Sequence, residues 1–242
     1  MKLAIDIGNT SITVGLFKGN VLFKNSHFNS IEKFGDFLDN IKQYNIKCAI
    51  ISSVAPKLTK DYSNLLKVRY NLSIINIDYK LSQLDLQVPH PETIGADRLC
   101  NMAATQNEYS TPAIIIDFGT ATTYDVINNK NQFIGGAIAA GVETSANYLL
   151  SKAALLSDTD LLFPDNAIGI DTTTNIQSGI MFGAVDQVEG MIKRISLETN
   201  TEYFIILTGG FANLISPQLS FSHSVDQNLT LKGMIYIHES NS

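Results

Sequence analysis

The sequence predicts an α/β protein made of two similar halves, each a mixed sheet flanked by helices, with a cleft between them. Three observations predict it. An apolar strand-like run ending in Ile5-Asp6-Ile7-Gly8-Asn9-Thr10 recurs in mid-chain as Ile116-Asp117-Phe118-Gly119-Thr120. Each copy leads into a second strand-like run, Ile12 to Phe17 and Thr122 to Ile127. After its opening strands the first half alternates helices with strands, the order of a mixed sheet with helices on its faces. One Asp-x-Gly string says little, because turns commonly use these residues. Two copies, each behind a buried-strand run and one domain length apart, point to a duplicated unit.

The elements follow in order. After the first hairpin, Gly19-Asn20 turns the chain into a third strand, Val21 to Phe28. Ile31, Phe34, Phe37, Leu38 and Ile41 recur at helical spacing. Ala49 to Val54 is a short apolar strand closed by Pro56; Leu58, Tyr62, Leu65 and Leu66 form a second helix; Leu72 to Ile77 is a further strand. The polar stretch Leu81 to Glu92, with Pro89 and Pro91, is a loop, and Asp97 and Arg98 open a helix through Ala104. Glu108 to Pro112 links the halves, placing the domains at 1–111 and 112–242. The second half repeats three strands, Ala113 to Asp117, Thr122 to Ile127 and Gln132 to Ile138. Helices follow over Val142 to Leu156 and Thr172 to Leu197, then a strand, Tyr203 to Leu207, ending in Thr208-Gly209-Gly210, and a helical tail, Leu229 to Ile237.

Composition sets the class. A chain of 242 residues suits two domains of roughly 110–120 each. With 45% hydrophobic and 17% charged residues it has ample material for packed cores. The net charge of −6 and the lack of a basic run argue against a nucleic-acid surface. Cys48 and Cys100 lie far apart beside apolar residues and read as buried free thiols in a reducing compartment. Asp6 comes too early for a secretory signal, and no apolar run nears the ~20 residues of a membrane span. A cytoplasmic protein with no membrane partner is expected.

The turns carry the chemistry. Gly8 and Gly119 let the backbone approach a ligand closely, and neighbouring amides and hydroxyls suit phosphate oxygens. Asp6 suits a hydrated divalent cation bridging those phosphates. Gly209 and Gly210 offer either bare backbone for a base and ribose or an ordinary helix start. Asp97 and Arg98 also have a plain reading, a charge at a helix start and a surface ion pair. Beside the two turns, Asp97 is instead the candidate general base for an alcohol, and Arg98 suits an acceptor carboxylate. His27, His90, His223 and His238 show no metal-ligand spacing.

Three strings, Asp6-Ile7-Gly8-Asn9-Thr10, Gly95-Ala96-Asp97-Arg98 and Asp117-Phe118-Gly119-Thr120-Ala121-Thr122-Thr123, together resemble the signature motifs of type III pantothenate kinases. Gly135-Gly136-Ala137-Ile138, Gly169-Ile170-Asp171-Thr172 and Gly209-Gly210 extend the likeness along the chain. The resemblance implies two ribonuclease-H-like domains of the actin-like ATPase superfamily, each with a five-stranded mixed sheet. It implies ATP-dependent phosphorylation of pantothenate to 4′-phosphopantothenate, the first step of coenzyme A synthesis, by a homodimer. On the same ground ATP contacts fall to Asp6, Ile7, Gly8, Asn9, Thr10, Ser11, Ile12, Thr13, Thr120, Gly209 and Gly210. Pantothenate contacts fall to Val88, Gly95, Ala96, Asp97, Arg98 and Thr172, with Asp97 the proton acceptor. Mg²⁺ accompanies ATP near Asp6, through water, and Asp117 ligates a monovalent cation, K⁺ or NH₄⁺. Two places depart from the family pattern: Val88 stands where a tyrosine is usual, and Ile170-Asp171 where Arg-Asn is common. Tyr79, Tyr124 and Tyr148 are alternative hydroxyl donors to the acceptor. The rival readings are a kinase of another small alcohol and a nucleotide-binding regulatory homologue.

Overall fold

In the computed structural model, residues 1–152 and 159–242 are described. The chain divides into two compact units. The first comprises Met1–Ser110, Asn131–Ile134 and Asn228–Ser242, and the second Thr111–Lys130 and Gly135–Gln227.

The first unit holds a five-stranded sheet. Strands β1 (Lys2–Ile7), β2 (Ile12–Lys18) and β3 (Val21–Phe28) form an antiparallel meander, and β4 (Cys48–Ser53) and β5 (Ser73–Asn76) add on in parallel. The order is β3-β2-β1-β4-β5. Both faces of the sheet are covered, so β1 and β4 are apolar almost throughout. Leu3, Ile5 and Ile7 pack against α1 (Ile31–Asn40) and α2 (Pro56–Tyr70), with Phe34, Leu38 and Leu66 fully or almost fully buried. Ala4 and Ile50 join the opposite core, with α4 (Ala96–Glu108) and the C-terminal helix α8 (Leu229–Ser240). Burial of each large aliphatic side chain contributes about 1.5–3 kcal/mol.

Local signals explain the helix starts. Ser30 caps α1 by accepting from the Lys33 N–H, and Pro56 occupies the first turn of α2, where its missing N–H costs nothing. Asp39 ties the two helices together, accepting from the Tyr70 hydroxyl at 2.7 Å and the Arg69 guanidinium at 2.6 Å. Burial and that hydrogen bond push the Tyr70 phenol up to about 12. Inside the polar stretch Leu81 to Glu92, the short helix α3 (Tyr79–Ser82) ends and a single 3₁₀ turn forms at Pro91–Thr93.

The second unit repeats the plan. Strands β6 (Ala113–Phe118) and β7 (Ala121–Ile127) are antiparallel, and β9 (Phe204–Gly209) runs parallel to β6. With β8 (Phe133–Ala140) and β10 (Ser224–Val225) the order is β10-β9-β6-β7-β8. Counted outward from the first strand of each half, the two sheets share one topology. The fifth strand, β10, is only two residues long, too short to register as an apolar run in sequence. Helices α5 (Val142–Lys152), α6 (Thr172–Thr199) and α7 (Ala212–Ile215) complete the unit. The expected helix over Val142 to Leu156 is thus seen to Lys152, and its end lies outside the described residues.

The units differ from the sequence-based division at 112 in two places. Helix α8 belongs to the first unit, because Leu231, Met234, Ile235 and Ile237 bury against Ala96, Cys100 and Ala103. Asn131–Ile134 does too: Phe133 bridges to Leu86, and its carbonyl accepts from the Gln87 N–H at 2.8 Å. Among the described residues no helix is long and apolar enough to cross a membrane. Cys48 and Cys100 are free and buried, as expected.

Candidate active site

In the first unit, Asp6 lies at the end of β1, opposite Thr13 on β2 and Ser52 on β4. The Ser52 hydroxyl donates to Asp6 Oδ1 at 2.7 Å. The Thr13 hydroxyl lies 3.0 Å from His27 Nδ1. Ile7 and Ile12 are buried and anchor the turn between them, leaving Asn9, Thr10 and Ser11 exposed. Gly8 closes the turn by donating its N–H to the Ser11 carbonyl at 3.0 Å, and a Cβ on Gly8 would sit 3.1 Å from that oxygen. A cavity of about 310 Å³ opens beside this loop, walled by Phe28, Ile31, Leu58 and Tyr62 with Glu32 and Asp61.

Gly95, Ala96, Asp97 and Arg98 form the start of α4, with Gly95 as its N-cap. A Cβ on Gly95 would lie 2.5 Å from Asp97 Oδ1, so a bare backbone is needed for the carboxylate to fold back here. Asp97 Oδ1 accepts from the Arg98 N–H at 2.7 Å. Burial pushes the Asp97 carboxyl above its ordinary range, and the Arg98 N–H and guanidinium pull it part of the way back. The Arg98 guanidinium stacks over the Phe133 ring at 5.7 Å. Phe133 is also the residue bridged to Leu86, two residues before the half-buried Val88. Phe133 therefore meets the Val88 segment through its backbone and Arg98 through its ring.

Cys100, one helical turn after Asp97, feels the charges of both carboxylates. It is fully buried, and its thiol is pushed well up, first by burial and then by the charges of Asp6 and Asp97; contact with Ser52 opposes them. The charges of Asp6 and Asp97 thus both reach the same buried thiol.

In the second unit, Asp117 occupies the position on β6 that Asp6 occupies on β1, opposite Thr123 on β7 and Thr208 on β9. Gly209 takes a positive φ of 88°, and a Cβ there would meet Asp117 Oδ1 at 2.5 Å and the Phe118 N at 2.6 Å. Only glycine allows that approach. Gly210 follows, exposed. Gly119 closes the turn by donating to the Ala121 carbonyl at 3.1 Å. The exposed Thr120 is fixed through its carbonyl, which accepts from the Gly141 N–H at 3.1 Å and the Thr144 hydroxyl at 2.7 Å. Thr172 is exposed in the first turn of α6, behind the Asp171 cap, which accepts from the Thr174 N–H at 2.7 Å. Tyr124 is sealed in the core with its phenol pushed to about 12 by burial, which removes it as a donor to any exposed acceptor.

The site residues read from sequence fall into two groups. Asp6 through Thr13, Val88 and Gly95 through Arg98 lie in the first unit; Asp117, Thr120, Thr172, Gly209 and Gly210 lie in the second. Sequence reasoning missed Ser52, Phe133 and Gly141. Ser52 had a signal, a hydroxyl at the end of the apolar strand run; Phe133 had none, because its role depends on a long-range bridge.

The oxygen donors fit hard cations and phosphate better than soft metals. At Asp6 the Ser52 hydroxyl donates to Oδ1 and holds the carboxylate at the end of β1. Across from Asp117, the buried Thr123 hydroxyl has no hydrogen-bond partner, so a cation or its water there would find a ready oxygen. Among the described residues there is no cluster of three or more His, Cys, Asp or Glu suited to a metal, so any cation would draw on few protein carboxylates.

Comparison with known proteins gives the family. Residues 2–194 match the profile of the family described as Type III pantothenate kinase. A type III pantothenate kinase of Sulfurihydrogenibium sp. is 39% identical over 98% of this chain and 99% of its own length. One of Moorella thermoacetica is 34% identical over the whole of both chains. Among solved structures, the activator of 2-hydroxyisocaproyl-CoA dehydratase from Clostridium difficile, with bound ADPNP, superposes with a TM-score of 0.57. It is 13% identical and covers 99% of this chain and 96% of that one, a likeness of fold alone.

Proposed function

The chain belongs to the type III pantothenate kinase family, and on that premise we propose how its own residues carry out ATP-dependent phosphorylation of pantothenate, the first step of coenzyme A biosynthesis. Asp97 is the general base. It takes the proton of the 4′-hydroxyl as that oxygen bonds to the γ-phosphorus of ATP; the bond from phosphorus to the β–γ bridging oxygen breaks, and ADP leaves. The observation that carries this reading is the placement of Asp97. It sits half-buried at a helix start, held by the Arg98 N–H beside a glycine that leaves room for it, with its carboxyl raised by burial. A base whose pKa is drawn toward the working pH is better matched to an alcohol than an ordinary surface carboxylate.

Arg98 presents its planar fork to the pantothenate carboxylate, held by the Phe133 ring. Gly95, Ala96, Val88 and Thr172 line the acceptor. The turn from Asp6 to Thr13, together with Thr120, Gly209 and Gly210, holds ATP. Asp6 holds Mg²⁺ through water, and Asp117 holds K⁺ or NH₄⁺. These cations supply charge neutralisation on the phosphates, which is most of what phosphoryl transfer asks of a protein. The working form is a cytoplasmic homodimer. In support, a Cβ on Gly179, Gly183 or Gly190 of α6 would meet nothing within 4 Å, so that helix has room for close approach by a second copy.

Asp97→Asn tests the base. Nucleotide binding and fold should persist while turnover falls by roughly 10² to 10⁴, the usual worth of general acid–base catalysis. A variant with near-full turnover would remove Asp97 from this role.

A further inference from the structure

We infer that residues 131–133, at the turn from β7 into β8, are a positioning element for the acceptor: pinned by Asp85 and Gln106, they set the Phe133 ring against Arg98 and beside the 85–87 segment that leads to Val88. This rests on the assignment of Arg98 to the pantothenate carboxylate and deepens it, because it names the residues that hold that cation in place.

Asn131 takes a positive φ of 64°, a conformation that asparagine tolerates better than most side chains, and turns the chain toward Phe133. Two partners then fix the turn. Gln106, about two helical turns beyond Arg98 on α4, donates its amide to the Asn131 carbonyl at 2.7 Å. Asp85 takes the other side. Its carbonyl accepts from the Phe133 N–H at 2.9 Å, and its carboxylate accepts from the side-chain amides of Gln132, at 2.8 Å, and of Gln87. The Gln87 N–H returns to the Phe133 carbonyl at 2.8 Å, so both backbone groups of Phe133 are bonded to the 85–87 segment. With its backbone held in this way, Phe133 is only 3% exposed, and its ring centre lies 5.7 Å from the Arg98 guanidinium. Helix α4 thus meets the turn twice, at Arg98 through the ring and at Gln106 through a backbone carbonyl. A ring attracts a cation without neutralising it, so the charge of Arg98 still acts on an incoming carboxylate. A side chain held before the substrate arrives also loses less freedom on binding it.

The test is steady-state kinetics of the full chain in a double-mutant cycle of Phe133 and Arg98. Phe133→Leu, which keeps apolar bulk and removes the ring, should raise the KM for pantothenate about 3- to 10-fold and leave kcat and the KM for ATP near their parent values. Phe133→Tyr, which keeps the ring, should bring the pantothenate KM back. In an Arg98→Gln background, Phe133→Leu should add nothing. The paired change Asp85→Ala with Gln106→Ala unties the turn without emptying a buried position, and it should raise the pantothenate KM in the same direction. If Phe133→Leu does not fold, this pair decides the matter, and an unchanged KM overturns the proposal. With Phe133→Leu folded, no rise in KM, or an equal rise with and without Arg98, overturns it as well. The assignment of Arg98 then stands as long as Arg98→Gln raises the pantothenate KM. If Arg98→Gln leaves that KM unchanged, the assignment of Arg98 falls, and the role of the turn with it.

Discussion

At the scale of single residues, the proposal for Asp97 links activity and stability with opposite signs. Burial raises its folded-state pKa, so the fold favours the protonated form. The stability contribution is therefore fully present below the unfolded carboxylate value of about 3.9 and is lost as pH rises through the higher folded value. Catalysis needs the other form. The acid limb of kcat/KM should lie above the ordinary carboxylate range and shift or vanish in Asp97→Asn. The same variant should melt at a higher temperature than the parent at neutral pH, with the gain shrinking toward pH 3. An unchanged acid limb together with an unchanged melting temperature would show that Asp97 is neither strained by burial nor the base. Asp6, Asp97 and Asp117 could all be named from sequence, because each follows an apolar run or a glycine whose purpose is local. What they touch could not. The Ser52 bond to Asp6 spans 46 positions along the chain. The bridge between Leu86, near Val88, and Phe133 likewise joins positions far apart along the chain.

At the scale of elements, the packing of α8 on α4 gives a sharp forecast. Glycine in a helix interior costs roughly 1 kcal/mol relative to alanine, so Gly233→Ala would be stabilising on propensity alone. The space decides otherwise, because the new Cβ would lie 1.7 Å from the Cys100 backbone oxygen, which has no rotamer with which to yield. Overpacking of this kind costs typically ~1–3 kcal/mol, occasionally more, and should win over propensity. Thermal unfolding should show a lower midpoint for Gly233→Ala. A midpoint equal to or above the parent would mean that the helices separate freely. The apolar periodicity of the tail made this helix legible in sequence, but its partner was not: periodicity gives a face and leaves open which unit covers it. That is why the sequence-based division kept 228–242 with the second half, whereas the helix buries in the first unit.

At the scale of the whole molecule, the duplicated strand order was the most legible feature, since the repeated Asp-x-Gly turns mark equivalent strands in both sheets. Assembly leaves a fainter trace. The glycines of α6 with open space beside them support a homodimer, for which light scattering at micromolar concentration should give about twice the 26.5 kDa chain mass. A mass that stays at one chain across that range would contradict it. The central claim is the reaction itself, and its most direct measurement is ATP consumption by the purified protein with pantothenate, set against a panel of other small alcohols, in Mg²⁺ and K⁺. The account predicts ADP release matched one-for-one by 4′-phosphopantothenate, with no comparable turnover on the other alcohols. Turnover on another alcohol with none on pantothenate would contradict it.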